Sequence, residues 1–318
     1  MGKVSEAGFA AAGSMERLYE LLQATGMGPG WDKPEPSLWP FPKKTFAPAR
    51  WQYSLAKPAL DAASLFVDTE HAERRNLILF NPIAGNHYAT ASTMIAAYQM
   101  VMSNETARSH RHTPNALRLV VDARPGAYTI VEGKKIPMIP GDVLLTPNWC
   151  WHGHGNESDA HAYWIDFLDA PLVQLLGPMF FEPFPGGIER TEELDECSPM
   201  RFPFSEVRRR LDSGSESQAV RRDLRIGPPY LDTMAIFVSR LEAGGAFVAE
   251  RATANSIFAV IEGQGRSIVE DKEFDWRRGD VFVVPFWHRH TCLAVERSTV
   301  LRVTDEPVMQ KLNWLRQE

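Results

Sequence analysis

Four histidines fall in two pairs of equal spacing, His110 and His112 in "SHRHTPNALR" and His152 and His154 in "NWCWHGHGN". Residues i and i+2 of a strand project to the same face, so His110 and His112 can converge on one ion. A third imidazole from a neighbouring strand, His152, would complete one face of an octahedron. Three neutral imidazoles suit Fe(II), Zn(II), Ni(II) or Cu(II), and residue type alone does not choose among them. A facial set leaves three positions open, enough for a bidentate substrate and dioxygen. Arg118 lies six residues after His112 and shares the parity of the ligands. Its bland alternative is an edge arginine paired with Asp122. His154 has the parity of His152 but lies outside the ligand spacing.

Such a constellation needs strands to carry it. Short β-rich runs bounded by Gly, Pro and Asp occur at 76–80, 98–102, 116–121, 127–131, 142–146 and 162–168. Their brevity and regular spacing predict a sandwich or barrel. Before them, 14–26 reads as a helix with Ser14 as N-cap and Gly26 as stop, and 58–75 as another. The Pro- and Trp-rich stretch 28–50 reads as an arm lying over another surface. A helix is predicted from 172, ending near Gly177. Residues 186–230 read as a charged helical connector, and the β texture resumes from Met234.

The second β region repeats the first. In each copy a Gly-Asp (Gly141-Asp142, Gly279-Asp280) opens an apolar strand. A Pro follows six residues after that Gly (Pro147, Pro285) and a His five after the Pro (His152, His290). Upstream, "SHRHTPNALRLVV" aligns without gaps on "AERATANSIFAVI", so that Glu250, Ala252 and Phe258 stand at the places of His110, His112 and Arg118. One copy holds the full polar set, and the other has lost two imidazoles and the guanidinium. His288 and His290 are read as a hydrogen-bonded remnant.

The HxH followed by G-x5-P-x4-H-x3-N (Gly141, Pro147, His152, Asn156) resembles the two motifs of the cupin superfamily. Ala116 and Leu117 stand where the usual cupin glutamate would be. Three histidines without that glutamate, in a two-barrel chain, resemble the gentisate/salicylate 1,2-dioxygenase family. "FLDAPLV", "FFEPFP", "GDVFVVPFW" and "DEPVMQKL" add to the likeness, which runs from about residue 70 to the C-terminus.

The resemblance implies a mainly β bicupin of two double-stranded β-helix (jelly-roll) barrels behind an N-terminal helical arm. The arm would span 1–75, the metal-bearing cupin 76–185, the connector 186–230 and a metal-free cupin 231–318. It implies Fe(II) on His110, His112 and His152. Arg118 would clamp a substrate carboxylate, and His154 would contact bound substrate or oxygen. Gln99 would donate to the substrate, Asp166 would orient His154 or Arg118, and Arg74 or Arg75 would lie near the pocket. The implied reaction opens the C1–C2 bond of a salicylate-type acid with dioxygen. Ile95 and Ala97 replace a family Trp and Gly, and Asn76 replaces an apolar residue. These changes point to a substituted ring, such as 5-nitrosalicylate or, less so, 1-hydroxy-2-naphthoate. A homotetramer is implied, with residues 28–50 packing on a neighbouring barrel.

Composition narrows the alternatives. The 318 residues carry 34 basic and 40 acidic side chains, net −6, with no basic run, which argues against nucleic acid and anionic membranes. No apolar stretch approaches a membrane span, and the N-terminus lacks a signal-peptide layout. Three scattered cysteines, Cys150, Cys197 and Cys292, read as reduced thiols of a cytoplasmic protein. Rival functions are a non-catalytic aromatic-acid-binding cupin and an oxygen-independent isomerase or decarboxylase. A dioxygenase for a thiol acid or flavonol is a third.

Overall fold

β-Branched and aromatic residues in short runs, cut by Gly, Pro and Asp, give short strands that must close into barrels to bury their inner faces. The computed structural model describes residues 4–68, 72, 74–213, 220–227 and 231–318. Residues 1–43 and 44–318 form two compact units. The first holds helices Glu6–Ala10 and Met15–Ala24, the latter capped by Ser14, whose hydroxyl accepts from the Arg17 amide at 3.1 Å. Within that unit Trp31, Leu38, Trp39 and Phe41 are exposed.

The second unit contains the two expected barrels. The larger sheet of the first runs in the order Arg201–Phe202, Val143–Thr146, Ala116–Asp122, Ala162–Leu168, Ile95–Val101, Arg75–Ile78. It faces a sheet of Phe181–Pro183, His110–His112, His152–Asn156, Ala127–Val131 and Lys134–Pro137. In the second barrel the corresponding order is Ala49–Trp51, Val281–Val284, Ser256–Glu262, Ser298–Thr304, Ala235–Leu241, Arg221–Ile226. Ala246–Ala249, His290–Ala294, Gln264–Val269 and Lys272–Arg277 face it. The two large sheets share one core: Leu117, Leu119 and Phe167 of the first pack in the same cluster as Ile257, Ala259 and Val303 of the second.

The domain boundaries read from the sequence are crossed by an exchange. Ala49–Trp51, which precedes the first barrel, pairs with Val281–Val284 of the second. Arg201–Phe202, in the connector, pairs with Val143–Thr146 of the first. Each strand leads into a helix, Tyr53–Ala63 or Phe204–Asp212. Each helix is received by the other barrel's Gly-Asp turn: Asp280 Oδ1 accepts from the Tyr53 amide at 3.0 Å, and Asp142 Oδ1 from the Phe204 amide at 2.8 Å. Gly141 (φ 88°) and Gly279 (φ 86°) are required there. A Cβ on either would come within 2.7 Å of the Phe204 or Tyr53 ring.

This capping explains why the helix predicted at 58–75 lies instead at Tyr53–Ala63, with Pro58 inside it. Its start is set by a carboxylate more than two hundred residues away, and residues 75–78 are strand. A second reciprocal latch ties the barrels. Thr93 donates to Asp305, which holds Asn255, and Thr233 donates to Asp169, which holds Asn115.

Candidate metal centre

Register brings the histidines together. His110 and His152 are directly opposed across an antiparallel pair, and His112 follows on the same face. Ring centroids lie 4.5 Å apart for His110–His152, 4.8 Å for His112–His152 and 5.5 Å for His110–His112. One nitrogen from each falls within 4.8 Å of the others, the sole such cluster of possible metal ligands among the described residues. His112 Nδ1 donates to the Pro114 carbonyl at 2.8 Å, and His152 Nδ1 to the Cys150 carbonyl at 3.0 Å. A carbonyl only accepts, so each Nδ1 carries the proton and each Nε2 keeps a lone pair for an ion. The loop bearing His152 is pinned through Trp149, whose backbone is left-handed (φ 64°) and whose amide donates to the His112 carbonyl at 2.9 Å. Arg111 braces its rim, lying over Trp149 and Trp151 at 4.5 and 4.4 Å and forked onto Glu182.

Burial depresses the basicity of these rings: that of His112 falls from 6.5 to about 4, and those of His152 and His154 well below 6.5, with neighbouring histidines and Arg118 adding to the effect. All three are neutral at pH 7. Two of the ligands, His112 and His152, therefore offer neutral nitrogens to a divalent transition metal without proton loss. In the second barrel, burial likewise takes His290 to about 3. A proton binds these rings below pH 6.5 in the unfolded chain, whereas in the fold burial holds it off until lower pH. Their contribution to stability is thus complete above pH 6.5 and declines as pH falls. The metal-free protein should lose stability steadily as pH falls from 6.5 to 4.5. A melting temperature that stays flat over that interval would contradict this.

Above the histidines sits a polar network. Arg118 is 1 % exposed, and Asp122 is not its partner: Asp122 accepts from Tyr53 and Arg278 instead. Arg118 Nε donates to Asp166 at 3.3 Å, Nη1 to Thr129 at 2.6 Å and to His154 Nδ1 at 3.3 Å, and Nη2 to Thr146 at 3.1 Å. A guanidinium has five N–H donors, so one on Nη2 is left. A two-pronged fork onto a ligand would have to displace a threonine. Because arginine only donates, His154 Nδ1 must accept, and the ring proton sits on Nε2. That Nε2 is buried with no partner among the described residues. The His154 ring lies 6.2 Å from His152 and 5.1 Å from Trp164.

Asp166 also accepts from Gln99 Nε2 at 2.6 Å, while Gln99 Oε1 accepts from Arg74 Nε. Arg74 Nη2 stands 4.0 Å from Asp166. Of the two adjacent arginines, Arg74 is therefore the one at the site; Arg75 turns away to Glu105 and the Val67 carbonyl. Ala97 lies opposite Asp166 and Asn76 opposite Gln99, so both share the inner face, and Ile95 follows by alternation. Ile95 and Ala97 are buried, whereas Asn76 is exposed at the rim. Thr129, Thr146 and Trp164 were not singled out from the sequence. Thr129 and Thr146 are each the one polar residue of an apolar strand, a signal visible only once the facing guanidinium is known, and Trp164 reads simply as core.

Fold and site together define a two-barrel cupin in which the first barrel alone offers a three-histidine metal centre. Residues 97–168 match the model of the cupin domain. The chain is 32% identical to a 5-aminosalicylate 1,2-dioxygenase of Comamonas sp. over 96% of its own length and 90% of the relative's. It is 34% identical to a 1-hydroxy-2-naphthoate 1,2-dioxygenase of Nocardioides sp. (strain KP7), covering 87% and 80%. The salicylate 1,2-dioxygenase of Pseudoaminobacter salicylatoxidans, solved as an adduct with gentisate, superposes with a TM-score of 0.89 at 25% identity, over 100% of this chain and 95% of the other. The chain belongs to the gentisate/salicylate 1,2-dioxygenase family, the bicupin ring-cleaving oxidoreductases. Among the described residues no helix is long and apolar enough to cross a membrane.

Proposed function

We propose that this dioxygenase uses Fe(II) on His110, His112 and His152 to open the C1–C2 bond of gentisate or a substituted salicylate. The observation that carries this reading is the His154 Nε2–H, a buried neutral donor held in one tautomer by Arg118 beside the three ligands. Fe(II) held there would supply open coordination positions for a bidentate hydroxy acid and dioxygen and would relay electrons from the ring to dioxygen, both oxygen atoms ending in the opened product. The chain's own groups then orient. The last Nη2–H of Arg118, with Arg74 nearer the mouth, takes the substrate carboxylate and fixes the ring plane. Asp166 keeps Arg118 in place, and Gln99 couples Asp166 to Arg74. His154 Nε2–H meets an acceptor oxygen of the bound reactants.

Ile95 and Ala97 shape the inner wall, and Asn76 offers a hydrogen bond at the rim to a ring substituent. The named relatives act on 5-aminosalicylate and 1-hydroxy-2-naphthoate, which fits a substituted ring, 5-nitrosalicylate included. An oxygen electrode with iron-loaded protein and a panel of gentisate, 5-amino- and 5-nitrosalicylate and 1-hydroxy-2-naphthoate tests this. Oxygen uptake matched by loss of ring absorbance is expected for at least one. Turnover without oxygen would instead indicate an isomerase or decarboxylase, and tight binding without turnover a binding module.

The protein is further read as a cytoplasmic homotetramer in which the 28–50 arm packs on a neighbouring barrel, except at its end, where Ala49 and Arg50 pair with this chain's own Val283 and Phe282. Trp31, Leu38, Trp39 and Phe41 are exposed in that stretch, an apolar set that a lone chain would leave in water. Sedimentation at micromolar concentration should show a tetramer, and a stable monomer would overturn the assignment.

A further inference from the structure

The mouth of the second barrel is not a relic filled with side chains. It encloses a cavity of about 380 Å³ whose wall includes Phe247, Phe258, Val284, His290, Arg221 and Arg302. Strand register shows how its charges arose. In the first barrel Arg118 lies opposite Asp166, a buried cation beside a buried anion. In the second, Phe258 stands at the place of Arg118, and opposite it, at the place of Asp166, stands Arg302. The second barrel thus carries a guanidinium at the place where the first carries a carboxylate. Arg221, opposite Leu241, takes the place that Arg74 holds in the first barrel.

Two polar atoms on this wall are buried without a partner among the described residues, Arg302 Nε and His290 Nδ1, and His290 is 1 % exposed. Glu250, Glu306 and Glu318 also line the cavity, and none of them reaches Arg302 Nε. Glu306 is 3.9 Å from its Nη1, beyond hydrogen-bond distance, while Glu250 pairs with Arg289, Glu318 with Arg251, and Asp223 with Arg221. The Arg221 guanidinium carbon lies 3.8 Å from the centre of the Phe247 ring and that of Arg302 4.3 Å from the Phe237 ring, while Phe258 stacks on Phe282 at 4.8 Å, so aromatic surface adjoins both cations. An unsatisfied buried donor costs more than a hydrogen bond returns, and an anionic acceptor is the ligand that relieves it best.

We propose that the second barrel's mouth binds a small organic carboxylate with a flat apolar body, its anionic end on Arg302 and Arg221 and its body against Phe247 and Phe258. The site is separate from the metal centre and performs no ring cleavage. 4-Fluorobenzoate, which lacks the ortho-hydroxyl needed for chelation, serves as probe in ¹⁹F NMR titrations of the full-length protein. Saturable binding is expected in the wild type and in Arg118→Gln, and weakening by at least about tenfold in Arg302→Gln. Unchanged affinity in Arg302→Gln, or loss of all binding in an Arg118→Gln protein shown to be folded by its cooperative melting, would overturn the assignment. Should Arg302→Gln not fold, wild-type crystals soaked in 4-bromobenzoate decide. A bromine anomalous peak beside Phe247 and Phe258 supports the site. Bromine confined to the first barrel, or water alone on Arg302 Nε and His290 Nδ1, refutes it.

Discussion

His112→Ala should purify folded and without metal, and should cleave no ring. The histidine is one of three ligands, and its Nδ1 bond to Pro114 leaves it no other duty among the described contacts. Loss of a residue that merely orients a ligand costs about 10- to 100-fold in metal affinity, so loss of a ligand should cost more. Metal analysis on the wild type should give one iron per chain. His290→Ala should retain that iron, because Glu250 and Ala252 stand where two further ligands would be needed. Two metals per wild-type chain, or loss of iron from a folded His290→Ala protein, would place the centre wrongly.

Arg118→Ala should be damaged twice over. The substitution leaves Asp166, a carboxylate 2 % exposed, without its buried counter-ion, held only by Gln99 and Arg74, and removes donors from Thr129, Thr146 and His154. Breaking one side of a buried ion pair costs about 3–5 kcal/mol, so a marked fall in melting temperature is expected. Independently, His154 loses the donor that fixes its tautomer, and the substrate carboxylate loses its deepest contact. With a charge-assisted hydrogen bond worth about 1.5–3 kcal/mol and orientation lost besides, kcat/KM per metallated, folded site should drop roughly 10- to 1000-fold. Arg118→Lys should restore part of the stability and little of the rate, since an ammonium cannot span Asp166, His154 and two threonines at once. Wild-type kcat/KM in metallated Arg118→Ala would confine the residue to a structural role.

The sequence revealed the metal ligands because chemistry and repeat coincide there: an HxH on one strand, a third histidine at motif distance, and a second copy that lacks two of them. The strands were legible for the same local reasons, and two of them, 127–131 and 162–168, match the structure residue for residue. What was hidden is long-range. Arg118 was weighed against Asp122, a neighbour in sequence, whereas its true counter-ion, Asp166, comes from the next strand in space. The guanidinium of the second barrel escaped notice because aligning like with like shows Phe258 in place of Arg118 and says nothing of Arg302 across the ladder. Helix Tyr53–Ala63 was misplaced because its cap, Asp280, belongs to the other repeat.

The exchanged strand and helix decide what the chain can afford to discard. Each repeat begins with a segment that completes its sister's sheet and fills its sister's Gly-Asp turn. An excised first barrel would lack an edge strand and expose the Asp142 turn, and an excised second barrel would lack Ala49–Trp51 in the same way. The copy without metal is therefore as indispensable to folding as the copy with it, and mutation is free to strip its ligands but not to delete it. A gene split between the repeats would encode two fragments that are each other's missing parts, so activity would return only when both are made together.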